Sequence, residues 1–170
     1  SKKATSGGIK GIGILCNGLA GRGIYCTSIN SYSFEDITID DPQSTGILMD
    51  CLDNKLNNGA VGGDPADNQN NNFDQISIKS DTGTCIFLAG NDGTGSTIGA
   101  NTSLNYFGQI HLNIRNNEGF VFNYADGNSL EMLRVFQPEG FTGNGLRFDA
   151  DDSGQDKHAR HNVCYQIQTA

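Results

Sequence analysis

The densest run of reactive side chains is Asp149-Ala150-Asp151-Asp152-Ser153-Gly154-Gln155-Asp156-Lys157-His158-Ala159-Arg160-His161. Glycoside hydrolysis needs two carboxyl groups, one protonated as acid and one ionised as base or nucleophile. Asp149, Asp151 and Asp152 are the catalytic candidates for that chemistry. A polysaccharide lyase needs a base and a cation, often Ca²⁺, to neutralise a uronate. The Asp cluster and Arg160 would fill those places. A solvated acidic turn accounts for the same residues. The spacing His158-x-x-His161-x-x-Cys164 is one that metal ligands use, but no fourth ligand accompanies it, so no metal site is assigned.

A second group is scattered along the chain: Ser77, Gln109, His111 and Arg134. Hydroxyl, amide, imidazole and guanidinium groups suit the hydroxyls of a sugar. With His158, Arg160 and His161 they form the expected glycan-binding set. They become neighbours only if the strands that carry them stack in register.

The repeats supply that stacking. Phe34-Glu35-Asp36-Ile37-Thr38-Ile39 recurs as Phe73-Asp74-Gln75-Ile76-Ser77-Ile78, as Phe107-Gly108-Gln109-Ile110-His111-Leu112 and as Leu130-Glu131-Met132-Leu133-Arg134-Val135. An earlier copy is Ile9-Lys10-Gly11-Ile12-Gly13-Ile14, and a less clear last one is Tyr165-Gln166-Ile167. The anchors are separated by 25, 39, 34, 23 and 32 residues. A second apolar segment follows each of the three middle copies after eight residues, beginning at Ile47, Ile86 and Phe120, and follows Val135 after eleven, at Leu146. Alternation in pieces this short reads as β-strand. A strand–turn–strand unit of constant polarity predicts a stack of coils paired in parallel, each burying the same positions as its neighbours.

Alignment of the copies yields columns. The expected core is Phe34/Phe73/Phe107/Leu130, Ile37/Ile76/Ile110/Leu133 and Ile39/Ile78/Leu112/Val135, with Ile47/Ile86/Phe120/Leu146 and Met49/Leu88/Phe122/Phe148 on the second strand. The outward positions of the second strand are Tyr25, Leu48, Phe87, Val121 and Arg147. An apolar outward stripe needs a cover, so Tyr25, Leu48, Phe87 and Val121 are expected at a subunit interface; a long loop folded back over the stripe is the alternative. Three long insertions, Asp53 to Asn72, Asn91 to Ser103 and Asp149 to Asn162, leave the same corner and should lie side by side.

This pattern resembles the pectate-lyase-like right-handed parallel β-helix superfamily, which includes the tailspike and tail-fibre proteins of bacteriophages. The resemblance covers nearly the whole chain. It implies an all-β solenoid of about six coils forming a single domain over residues 1–170. It is specific for fold and unspecific for activity. It further implies a viral tail module that assembles as a homotrimer and binds surface polysaccharide, with a polysaccharide lyase or glycoside hydrolase as the alternative. Polygalacturonase-type members of the superfamily carry several separated motifs on successive coils. Here one paired Asp is present and the others are not recognisable.

Composition narrows the rest. The formal net charge is −8, and the mixed-charge segment Lys157 to His161 is the nearest approach to a basic cluster, so nucleic acid is not an expected partner. No apolar run reaches the length needed to span a membrane. The five cysteines, Cys16, Cys26, Cys51, Cys85 and Cys164, are odd in number and irregularly spaced. They read as small buried hydrophobes of a chain folded in a reducing cytoplasm, which agrees with a virion protein; a secreted protein is the alternative. No capping element covers the expected stack at either end, so a fragment of a longer chain, or ends covered by partner subunits, is expected.

Overall fold

The computed structural model describes residues 6–27, 29–50, 68–90, 102–149, 159 and 161–169. The described residues are all-β. The strands are β1 (Gly7–Leu15), β2 (Arg22–Cys26), β3 (Tyr32–Asp40), β4 (Thr45–Asp50), β5 (Asn68–Gln69), β6 (Asn72–Ser80), β7 (Thr84–Ala89), β8 (Thr102–Ser103), β9 (Tyr106–Ile114), β10 (Phe120–Asn123), β11 (Ser129–Phe136), β12 (Leu146–Asp149) and β13 (Val163–Thr169). One six-stranded sheet has the order β1-β3-β6-β9-β11-β13, and a five-stranded sheet has the order β12-β10-β7-β4-β2. Every pairing is parallel. The chain thus passes from the larger sheet to the smaller and back, each visit landing beside the strand laid down one repeat earlier.

The register matches the aligned columns. Phe34 pairs with Phe73, Phe73 with Phe107 and Phe107 with Leu130, and Ile47, Ile86, Phe120 and Leu146 follow one another in the smaller sheet. The inward residues of the inner strands are buried. Phe34, Phe73 and Phe107 stack nearly flat, with centroids 4.6 and 5.0 Å apart. Phe107 meets Phe120 edge-on at 5.0 Å, which joins the two sheets through one aromatic contact.

The spacing of three between the first two anchors breaks strict alternation, and the backbone shows why. Gly11, Asp36 and Gln75 share one position in successive strands and have φ of 67°, 54° and 53°. A left-handed residue there lets two consecutive residues avoid the core, so Ile12, Ile37 and Ile76 turn inward again. Backbone pairing lapses beside it, and the Asp74 carboxylate accepts from the amides of Gln75 and Gln109, both at 3.0 Å. Gly108 leaves room for that carboxylate: a Cβ there would lie 2.9 Å from Asp74 Cγ.

Three expectations are corrected. The last repeat is shifted by two residues: Cys164 pairs with Leu130 and Ile167 with Leu133, a separation of 34, while Tyr165 points out and is 71% exposed. Phe148 stacks on Phe122 at 4.9 Å but remains exposed, because β12 is the edge strand of its sheet among the described residues. The outward stripe is in register, but Val121 and Leu48 are buried within the chain itself, and Tyr25 and Phe87 are partly buried. Two of the four residues assigned to a subunit contact are therefore already covered. The first two insertions run together at their ends, where Asn68 pairs with Thr102 and Gln69 with Ser103, and most of the third lies outside the described residues.

A feature unforeseen in the sequence binds the repeats. Asn71, Asn105, Asn128 and Asn162 form a ladder at the turn entering the larger sheet. Each Oδ1 accepts from the backbone amide one repeat earlier: Tyr32 to Asn71 at 2.9 Å, Asn71 to Asn105 at 3.1 Å, Asn105 to Asn128 at 3.1 Å and Asn128 to Asn162 at 2.9 Å. The side-chain amides of Asn71, Asn105 and Asn128 donate to the next Oδ1 at 2.8, 2.9 and 3.0 Å. Asn71, Asn105 and Asn128 are buried, so no water can substitute. Asn128→Ala leaves two buried donors of Asn105 unpaired, at about 1–3 kcal/mol each. Urea unfolding should show N128A less stable by at least about 2 kcal/mol. A loss below about 0.5 kcal/mol would show the ladder to be incidental.

Among the described cysteines, Cys16, Cys26 and Cys85 are buried free thiols and Cys164 is partly buried. Burial pushes the Cys26 thiol from 9.0 up to about 12 and raises Cys85 as well. The unfolded chain releases these protons first, so their stabilising effect is intact below about pH 9 and fades as pH climbs towards about 12. Urea midpoints measured from about pH 8 to about pH 11 should fall more steeply for the parent protein than for C26A/C85A. Equal slopes would mean that neither thiol stays protonated in the fold.

Candidate functional site

The outward face of the larger sheet brings four of its polar residues into one column. Ser77 of β6 pairs with His111 of β9, His111 with Arg134 of β11, and Arg134 with Gln168 of β13. Strands in a sheet are about 4.8 Å apart, so the column runs about 14 Å across the strands. Beside it lies the column Asp40, Lys79, Asn113, Phe136. Between the two columns is a shallow groove of about 300 Å³, lined by Ser77, His111, Asn113, Arg134, Phe136 and Gln168 with Leu112 and Val135 at its floor.

Its chemistry is mixed. Arg134 Nε donates to Gln168 Oε1 at 2.9 Å, which fixes the plane of the guanidinium. Phe136 stands two residues further along the same face of β11 and is 53% exposed. Lys79, beside the groove, is paired with Asp40 at 3.4 Å. Glu131 accepts from the Tyr106 hydroxyl. Among the described residues that line the groove there is no carboxylate. The groove offers hydroxyl, imidazole and amide groups beside an aromatic ring, the combination that sugar hydroxyls and sugar ring faces require.

The structure thus gathers Ser77, His111 and Arg134 and leaves Gln109 outside, where its backbone is engaged by Asp74. Gln168 and Asn113 complete the lining. Gln168 was missed because the last repeat was aligned two residues away from its true register.

Of the catalytic candidates Asp149 alone is described, and it lies outside the groove. Asp149 belongs to β12 in the smaller sheet, where its Oδ2 is 3.1 Å from Arg147 Nη2. The other terminal nitrogen of Arg147 lies 3.4 Å from Glu118 Oε1, to which Asn144 also donates at 3.2 Å. This pairing accounts for Asp149 as a structural partner. Asp151, Asp152, His158 and Arg160 lie outside the described residues. His161 is described: it has φ of 53°, and its Nδ1 lies 3.0 Å from Asp126 Oδ1, away from the groove. Among the described residues, no three His, Cys, Asp or Glu side chains converge to hold a metal ion.

Comparison of the chain with protein-family models, with curated proteins and with solved structures finds no match.

Arg147 shields Glu118, whose side chain is only 16% exposed. Arg147→Ala should therefore destabilise the fold by about 1–3 kcal/mol, whereas Asp149→Asn should cost under about 1 kcal/mol, because a half-open ion pair contributes little. Thermal unfolding of the two variants checks the order. A larger loss for D149N would assign Asp149 more than a pairing role.

Proposed function

We propose that this chain is a right-handed parallel β-helix, a solenoid resembling the pectate-lyase-like superfamily, and that it serves as a polysaccharide-binding module of a viral tail spike or fibre. The alternation between two parallel sheets supports the solenoid, and a crossover between parallel strands is right-handed in nearly all known cases. The observation that carries the binding function is the groove: Ser77, His111, Arg134 and Gln168 in file, with Phe136 exposed beside them. A polymer lying along the file meets one outward side chain from each strand, at steps of about 4.8 Å. The lining residues stand on a rigid sheet face, which fixes their spacing before a ligand arrives. Homotrimeric assembly belongs to the same proposal, with the partly exposed Tyr25 and Phe87 as its remaining apolar contacts.

Binding of fluorescent bacterial surface polysaccharides should be at least about tenfold weaker for H111A/F136A than for the parent protein, since two contacts worth about 1 kcal/mol or more are lost. His161→Ala, outside the groove, should bind within about twofold. The same incubations report on chemistry. Shortened polymer, abolished by D149N/D151N/D152N in a protein that still folds, would replace this reading with a lyase or hydrolase.

A further inference from the structure

The state of the cations refines what the groove would accept. Among the described residues there are six Lys and Arg side chains. Lys10 pairs with Glu35 at 2.9 Å, Lys79 with Asp40 at 3.4 Å, Arg115 with Asp81 at 3.4 Å, and Arg147 with Glu118 and Asp149. Arg22 lies over the Tyr25 ring at 4.9 Å. Arg134 alone meets a neutral amide, and only through Nε. Its two terminal nitrogens have no partner among the described residues. They present the end-on edge of a guanidinium held flat by Gln168, an edge that matches two oxygens of a carboxylate or sulfate.

We propose, resting on the glycan-binding reading above, that the groove selects an acidic polysaccharide, and that Arg134 is its specificity-determining residue. The anionic group of a sugar, a uronate carboxylate or a sulfate ester, sits end-on against the terminal nitrogens of Arg134. The apolar face of the same or the adjoining ring rests on Phe136. Ser77, His111 and Asn113 bond the hydroxyls of the preceding unit. At −8 the protein repels polyanions in general, so attraction for an acidic glycan has to come locally, from Arg134. Gln168 positions the guanidinium and does not itself read the anion.

The test measures binding of the full chain to polygalacturonate, alginate and hyaluronan oligomers, to carrageenan oligomers as the sulfated arm, and to the carboxyl-reduced or desulfated form of each. At least one acidic oligomer should bind ten times or more tightly than its neutral form. R134Q, which keeps a polar amide but loses the charge and the two-pronged terminal edge, should lose that tenfold preference. R134K, a point charge without the planar edge, should recover only part of it. Added salt should weaken acidic-oligomer binding in the parent protein by screening the Arg134 attraction, but not in R134Q, where only the general repulsion is left to screen. Q168A should lower affinity while keeping the preference for the acidic form. Equal binding of acidic and neutral forms overturns the selection while glycan binding stands. An acidic preference that survives in R134Q also overturns it, because the anion is then read elsewhere. Absence of binding to every oligomer, acidic or neutral, overturns both readings.

Discussion

The hydrogen-bond ladder of Asn71, Asn105, Asn128 and Asn162 is the constraint on which the rest of this structure depends. Parallel sheets satisfy their own amides only while the strands run straight. At the turn entering β3, β6, β9 and β11 the backbone leaves that regime, and its buried N–H groups would go unpaired. One asparagine per repeat accepts that amide from the preceding repeat and passes its own NH₂ to the next oxygen. Glutamine is too long and aspartate lacks the donor. The ladder therefore fixes the vertical register of the larger sheet, and the core columns and the outward polar file inherit it.

How much of this was legible follows from what each signal measures. The columns Ile37/Ile76/Ile110/Leu133 and Ile39/Ile78/Leu112/Val135 were readable because alternation within a strand and constant polarity between repeats leave one consistent register. The last repeat was misplaced because Tyr165 and Ile167 are both apolar and either could begin the pattern. The missed signal was polar. Each ladder asparagine stands two residues before its anchor, as in Asn71-x-Phe73, Asn105-x-Phe107 and Asn128-x-Leu130, and the same rule applied to Asn162 selects Cys164. Asparagine is abundant throughout this chain, which hid four that have one role. Burial of Val121 was not readable at all, since alternation says which way a side chain points and not what covers it.

The site divides along the same line. Ser77, His111 and Arg134 could be assembled from the sequence, because they occupy one outward position of three well-aligned strands. Gln168 could not, because it needed the corrected register of β13, and with it goes the contact that orients Arg134. Asp149 shows the converse: its neighbours in sequence suggested chemistry, while its neighbours in space, Arg147 and through it Glu118, give it an ordinary partner. Composition could place the acidic residues in one segment, but only tertiary structure shows which charges are already neutralised.

The parallel register also has a mechanical consequence. Hydrogen bonds in both sheets lie along the direction in which repeats succeed one another, so tension in that direction pulls every bond at one level together and successive levels in series. A chain loaded this way parts at its thinnest level. In the smaller sheet β10 pairs through four residues on each side, as β2 does with β4, so load at β10 shifts to β9 and its neighbours, the level that Asn105 spans in both directions through buried bonds. The protein would therefore resist stretching stiffly and fail abruptly, its strength set by the shortest paired level rather than by the size of its core.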